Sequence, residues 1–310
     1  MTVVTEASSD ANIRRFSTAD TMYMEAEMLA RAGRRVVVIV EGEDDQMVLA
    51  PHSTDEMVLM TGPGGRDKLL ELATRASYRG VSRMLFVADS DYDVFSDESS
   101  ISQNVVKSRC HDLFMEVFKA SRDVLIDIVR KRLESGTRGG KVQMPENLFP
   151  TGEVFVPSRS DANDAIEQAV CLSRAPMAVR ASAFRYACPL NFKRMKFGSL
   201  VGNVSDIGEI FTELLPDSNV ASFDIGKVHE EAERIYLDSS IETLDFVGDH
   251  DFFKSLSAVL GGMGAHMKYT SLQNDLIIAC RCSGLLNSPS VIEIEKFADS
   301  FGKKALKCPC

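Results

Sequence analysis

The chain has 310 residues, a formal net charge of −10 and seven cysteines. This length allows one large domain or two unequal ones, and the negative charge argues against a protein that coats nucleic acid through a basic surface. No apolar run approaches the roughly 20 residues of a membrane helix, and the acidic N-terminus lacks the apolar core of a secretory signal. We therefore expect a cytoplasmic protein with reduced thiols and no membrane contact.

The first third of the chain has the pattern of an α/β protein. Residues 1–17 are expected to form a flexible N-terminus, and Ser17 or Thr18 can cap a helix that Gly33 ends. Three apolar runs predict strands, with helices between them: Val36–Val40, Glu56–Met60 and Met84–Ala88. The order β-α-β-α-β predicts a parallel, Rossmann-like sheet between layers of helices.

The remainder of the chain is predicted to be mostly helical. A polar linker at 97–102 leads into one long predicted helix, His111–Leu133. Further helices are predicted at Asp161–Leu172, Val204–Leu215, Lys227–Tyr236, from Asp249 through Leu260, and beyond Ser288, where the cysteine-containing end is expected to be loose. We therefore divide the chain into a flexible segment 1–17, an α/β core 18–135 and a mixed, mostly helical region 136–310.

Carboxylates directly follow two of the predicted strands. Glu41 and Asp45 lie at the junction after the first strand, and Asp89 and Asp91 follow the third. Ligands of parallel sheets bind beyond the carboxyl ends of the strands, and groups of carboxylates suit Mg²⁺ or Mn²⁺. The pattern predicts a metal-dependent site for phosphoryl chemistry. The alternative is that these acids only form turns and helix caps, as Asp45 can do.

Three other segments carry candidate site residues. Lys68 follows a glycine-rich loop that lacks the phosphate-loop pattern, so we expect a plain turn in which Lys68 can contact a phosphate. Asp112 begins a predicted helix and is either a first-turn acid or a further metal ligand. The segment Asp249–Asp251 has the same two interpretations. The closely spaced pairs Cys280/Cys282 and Cys308/Cys310 are interpreted as buried or tail thiols rather than zinc ligands.

A basic stretch lies between residues 168 and 205, where the sequence contains no Asp or Glu. Its cationic residues alternate with phenylalanine and tyrosine, and the candidate nucleic-acid ligands are Arg185, Lys193, Arg194 and Lys196. Such a stretch can follow a phosphate backbone while its rings stack on bases. Alternatively, it is an amphipathic segment whose rings are buried and whose cationic groups are solvated.

Several of these segments resemble one family. Val38–Asp45 resembles the first motif of Toprim domains, a hydrophobic strand followed by Glu-Gly and then an acid. Val87–Asp91 resembles the Toprim Asp-x-Asp motif. His111–Leu113 and Gly248–Asp251 are similar to later motifs of the DUF4435 branch, which is related to Toprim nucleases of the overcoming-lysogenization-defect (OLD) family. The chain departs from that pattern at Phe114, where Glu is usual, and by an extra Asp within the Gly-His-Asp element.

This resemblance implies a Toprim fold and metal-dependent cleavage of phosphodiester bonds. It implies catalytic roles for Glu41, Asp45 and, through a weaker match, Lys68. The implied Mg²⁺ or Mn²⁺ ligands are Glu41, Asp45, Asp89, Asp91 and Asp112.

The predicted helix from Thr18 to Gly33 is also similar to the Toprim effectors of the PARIS anti-phage defence system. That similarity implies a toxic nuclease that an ATPase of the ABC class restrains and that forms a homodimer when released. The implied substrate is RNA, with tRNA first, and DNA is the alternative. A third hypothesis is a non-catalytic interaction protein whose acids bind a structural cation or the basic patch of a partner.

Overall fold

The computed structural model describes residues 18–95, 102–138, 157–192, 195, 197, 207–214 and 224–308. The chain forms two compact units, and each is assembled from segments that are distant in sequence. Unit 1 contains the described parts of Met1–Asp89, Ser99–Ser108 and Pro289–Cys310, and unit 2 those of Ser90–Glu98 and Arg109–Ser288. These units differ from the division at residue 135 that the sequence suggested, because the C-terminal helix packs with the sheet.

Unit 1 is built on a four-stranded parallel sheet. Its strands are β1 Val36–Val40, β2 Met57–Thr61, β3 Met84–Ala88 and β4 Val105–Lys107, in the order β2-β1-β3-β4. The register sets Val40 opposite both Thr61 and Val87. The predicted α/β class with a parallel, Rossmann-like core is confirmed, and β4 is an additional strand too short for its pattern to be recognised.

Helices make up most of the remaining described chain. In chain order they are α1 Ala19–Arg31, α2 Glu43–Leu49, α3 Arg66–Tyr78, α4 Leu113–Ala120, α5 Arg122–Arg138, α6 Arg159–Arg185, α7 Ile207–Leu214, α8 Ile225–Leu237, α9 Thr243–Phe246, α10 Asp249–Gly262, α11 Tyr269–Ala279, α12 Cys282–Leu285 and α13 Pro289–Asp299. The first three and the last belong to unit 1 and the others to unit 2. None of the described helices is long and apolar enough to cross a membrane.

The core of unit 1 forms because β1 and β3 are apolar on both faces. Side chains of α1 and α3, such as Tyr23 and Leu72, pack against Ile39 and Phe86 of the two strands. The predicted cap of α1 is Thr18, whose hydroxyl accepts the N–H of Thr21 at 3.2 Å. Burial of continuous apolar runs stabilises central parallel strands by roughly 1.5–3 kcal/mol per large side chain.

Gly62 brings the turn after β2 against the end of β1. Its N–H donates to the carbonyl of Val40 at 2.7 Å. A Cβ at this position would lie 2.9 Å from Cδ1 of Leu69 and 3.2 Å from the carbonyl oxygen of Val40. Only glycine allows so close an approach without displacement, so this residue helps to fix the backbone from which Glu41 projects.

The segment after α13, up to residue 308, packs against the rest of unit 1. Leu306 forms an antiparallel bridge with Ser53 and donates its N–H to Glu295 at 2.6 Å. Lys303 donates to Glu56 at 3.0 Å. The expectation of a loose C-terminal end is therefore wrong for the described residues, because paired backbone and charged groups hold it.

Unit 2 corrects two of the helix predictions. The single helix predicted for His111–Leu133 is instead the pair α4 and α5, because Ser121 ends the first and its carbonyl accepts the N–H of Val124 at 2.9 Å. The helix predicted for Asp161–Leu172 runs on as α6 and includes the basic stretch as far as Arg185. A capping box between Ser158 and Asp161 begins α6, as an acid three residues after a cap favours.

Candidate functional site

Two predicted metal ligands come together at the carboxyl edge of the sheet. Glu41 follows β1 and Asp89 follows β3, and these strands are parallel neighbours. The backbone N–H of Asp89 donates to Oε2 of Glu41 at 3.2 Å. Both residues are half-buried. The sheet thus brings the Glu41 carboxylate to the backbone of Asp89, although 48 residues separate them in sequence.

Asp45 and Lys68 lie in the first turns of helices that begin near this edge. Asp45 is buried in α2, and its Oδ2 accepts the N–H of Gly42 at 3.0 Å. This is the capping geometry that the sequence offered as an alternative. Lys68 is exposed in α3, directly after the glycine-rich loop.

Unit 2 contains a pocket of about 340 Å³ at the start of α10. The residues that line it are Asp91, Tyr92, His111, Arg180, Phe184, Gly248, Asp249, His250 and Asp251. Three segments that the sequence analysis identified as similar to family motifs therefore contribute to this pocket: the second Asp of the Asp-x-Asp segment, the His111–Leu113 segment and the Gly248–Asp251 segment.

Asp112 connects the starts of α4 and α10. Its Oδ1 accepts the N–H of Met115 at 2.7 Å, which makes it the N-cap of α4. Its Oδ2 accepts the N–H of Asp249 at 3.0 Å and lies 3.2 Å from Nδ1 of His111. The capping interpretation of Asp112 therefore has a defined geometry, and the carboxylate also orients the imidazole of His111.

The environment of His111 favours its protonated form. Burial opposes the positive charge, but the hydrogen bond and charge of Asp112, together with the charges of Asp91 and Asp249, outweigh that effect and raise the pKa of His111. Its Nε2 lies 3.7 Å from the Asp91 carboxylate. Close packing of Gly248 also holds the ring, because a Cβ there would lie 3.1 Å from Cε1 of His111.

The other acids of the pocket are bound by neighbouring groups. Asp249 accepts the N–H of His250 at 2.5 Å and the side-chain amide of Gln273 at 2.8 Å. Asp251 is buried in a two-bonded ion pair with Arg180, in which Nη2 donates to Oδ1 at 3.1 Å. The guanidinium of Arg180 also stacks on Phe192, 4.1 Å from the ring centroid.

Tyr92 and Phe184 give the pocket an aromatic wall. The ring of Tyr92 lies 4.9 Å from that of His111 and 6.0 Å from that of Phe184. Tyr92 is only 6% exposed, and burial raises the pKa of its phenol. Within the part of the chain that the structure describes, its hydroxyl has no hydrogen-bond partner. A buried polar group of this kind requires an explanation, such as a water or a ligand.

The basic stretch is largely engaged within unit 2. Arg185, at the end of α6, pairs with Glu231 at 2.8 Å. Arg174 donates to backbone carbonyls, among them Tyr236 at 2.8 Å and Asp238 at 2.6 Å. These contacts do not match the amphipathic alternative, because these arginines are paired rather than solvated, and Phe184 and Tyr186 are exposed rather than buried. The other three candidate nucleic-acid ligands, Lys193, Arg194 and Lys196, lie outside the described residues.

Sequence reasoning selected Asp91 as a site residue, but several other pocket residues were not selected, among them Tyr92, His111, Arg180 and Phe184. Tyr92 and His111 lie within segments that were singled out for their acids, so the neighbouring positions could have been tested. Arg180 lies in the basic stretch, but nothing local distinguished it from its neighbours, since its partner Asp251 is 71 residues away.

Comparison of the chain with protein-family models and with curated proteins finds no match.

Proposed function

We propose that this protein is a Mg²⁺-dependent nuclease in which Glu41 and Asp89 hold the ion. The observation that carries the proposal is the hydrogen bond from the Asp89 backbone to the Glu41 carboxylate at the carboxyl edge of the sheet. The Glu41 carboxylate thus lies against the backbone of Asp89, at the sheet edge where ligands of parallel sheets bind.

The donor set fits a hard divalent cation. Both candidate ligands are carboxylates that are only partly exposed to solvent, so a bound cation would offset their mutual repulsion. Bound Mg²⁺ would supply polarisation of a phosphoryl oxygen and a more acidic bound water.

The protein's own groups prepare this edge of the sheet. The Asp89 N–H fixes one oxygen of Glu41, and Asp45 fixes the turn that follows Glu41 through the N–H of Gly42. We assign Asp45 and Asp112 supporting roles and retain Lys68 as a candidate phosphate contact, because it is exposed in the first turn of α3.

The resemblance to Toprim nucleases supports the biological part of the proposal. It favours RNA as substrate, tRNA above all, and a role as a toxic effector of anti-phage defence in the cytoplasm. It also favours restraint by an ABC-class ATPase and homodimer formation upon release. An OLD-like nuclease acting on DNA is the alternative that the same chemistry allows.

A cleavage assay on two substrates tests the reaction. Purified protein is incubated with total tRNA and with plasmid DNA, with Mg²⁺ or with a chelator. We expect Mg²⁺-dependent cleavage that Glu41→Gln abolishes and that Glu43→Gln leaves intact. Glu43 is the matched control because it is an exposed acid only two residues away. Wild-type protein without cleavage of either substrate, or an active Glu41→Gln variant, would contradict the proposal.

Thermal denaturation with increasing Mg²⁺ separates catalysis from binding. An ion held by the folded state raises the melting temperature, and the increase grows with its concentration. We expect this increase in wild type and in Glu43→Gln but not in Glu41→Gln. Stabilisation by Mg²⁺ without any cleavage would instead support a non-catalytic, cation-binding interaction protein.

A further inference from the structure

We propose that the pocket of unit 2 receives a single unpaired guanine base. The pocket alone carries the binding argument, and the placement of that base in an RNA chain rests on the proposed function. The pocket is about 340 Å³, which lies within the range of small-molecule sites, roughly 300–1,000 Å³.

Charge in the pocket disfavours phosphate and favours a group with hydrogen-bond donors. Asp91, Asp249 and Asp251 line it, whereas Arg180 is the one arginine or lysine among the lining residues of the described chain. Arg180 is already paired with Asp251. Even with His111 protonated, negative charge is in excess, so a nucleotide should enter with its base and leave its phosphates outside.

The walls suit a flat ring. Tyr92, Phe184 and His111 contribute adjacent aromatic faces and edges. Phe184 is 43% exposed, although exposure of a large apolar ring costs free energy unless something covers it. Unpaired bases are commonly bound by stacking on such rings.

The polar groups favour guanine over the other bases. Guanine carries two adjacent donors, N1–H and the exocyclic amine, which match the two oxygens of a carboxylate, and three carboxylates line the pocket. Its O6 and N7 are acceptors, and Tyr92 has a buried hydroxyl without a hydrogen-bond partner among the described residues. Adenine and cytosine lack the paired donors, and uracil has a single N–H and no amine.

Calorimetric titration with guanosine, in the absence of Mg²⁺, tests the base alone, because a nucleoside has no phosphate. We expect guanosine to bind at least about tenfold more tightly than adenosine or uridine, the difference that one good hydrogen-bond pair provides. Equal binding of the three nucleosides, or no binding of guanosine, would overturn the inference.

Two variants locate the binding site, and one serves as a control. Phe184→Ala should weaken guanosine binding at least about fivefold through lost stacking. Tyr92→Phe keeps the ring and should weaken guanosine binding a few-fold, because the hydroxyl is lost. Tyr186→Ala removes an exposed aromatic residue of unit 2 that does not line the pocket, and it should bind as wild type does. If neither pocket variant weakens guanosine binding, the pocket is not the binding site. If Phe184→Ala does not fold, the result for Tyr92→Phe alone tests whether the pocket binds guanosine.

An oligouridylate that contains one guanosine distinguishes a base in a chain from a free nucleoside. We expect it to bind more tightly than the same oligonucleotide with adenosine, and Phe184→Ala to reduce that preference. Cleavage by a protein that does not bind guanosine would overturn this inference but not the nuclease proposal. Guanosine binding by a protein that cleaves neither tRNA nor DNA would overturn the nuclease proposal but not the pocket assignment.

Discussion

Replacement of Asp112 by Ala distinguishes a helix cap from a metal ligand. The substitution removes the N-cap of α4, which typically costs about 1 kcal/mol. It also leaves the N–H of Asp249 without the oxygen that accepts it at 3.0 Å, and an unsatisfied buried donor costs about 1–3 kcal/mol. We therefore expect Asp112→Ala to lower the free energy of unfolding by about 2–4 kcal/mol.

Thermal denaturation in the presence of a chelator measures this loss without any contribution from metal. For a unit of this size the expected loss corresponds to a decrease in melting temperature of roughly 4–16 °C. Asp112→Ser is the matched variant, because serine caps helices as well as aspartate does but cannot also reach Asp249. It should be about 1 kcal/mol more stable than Asp112→Ala.

The ligand interpretation predicts the opposite pattern. Removal of one carboxylate from a cluster of acids relieves repulsion, so metal-free Asp112→Ala would be at least as stable as wild type. The stabilisation that Mg²⁺ confers would then be lost in both variants. An Asp112→Ala protein within about 0.5 kcal/mol of wild type, together with an equally stable Asp112→Ser, would refute the capping argument.

Two further substitutions test a close backbone contact in unit 1 and a group of ion pairs in unit 2. Gly62→Ala forces a Cβ to within 3.2 Å of the Val40 carbonyl. It should lower stability by about 1–3 kcal/mol through overpacking; an unchanged denaturation midpoint would contradict the close approach. The hydrogen bond from Arg234, together with the charges of Arg234 and Arg185, lowers the pKa of Glu231 below 4.5. Because the folded-state pKa is the lower one, this stabilisation is present above about pH 4.5 and is lost as the pH falls through the folded-state value. Glu231→Gln should therefore be less stable than wild type at pH 7, and the difference should shrink as the pH is lowered below about 4.5; a difference that stays constant through the acid range would contradict the ion pairs.

Local patterns predicted the central strands of the sheet but missed its short edge strand and the junction between two helices. β1 and β3 were predicted with their observed ends, because both are continuous apolar runs bounded by charged residues. The break at Ser121 was not predictable, since the apolar periodicity continues across it. β4 was missed because its three residues become a strand only by pairing with β3.

The sequence by itself determined the parallel α/β core and the positions of the acids after β1 and β3. Buried strands must be apolar on both faces, and parallel strands end at a common edge, so both features follow from local composition. Only the tertiary structure decided that Asp89 donates to Glu41, that Asp112 joins two helix starts, and that Tyr92, Arg180 and Asp251 line one pocket. The residues that meet in each case are separated by tens of residues or more in sequence. Their contact depends on how whole helices and strands pack, which local sequence patterns do not predict.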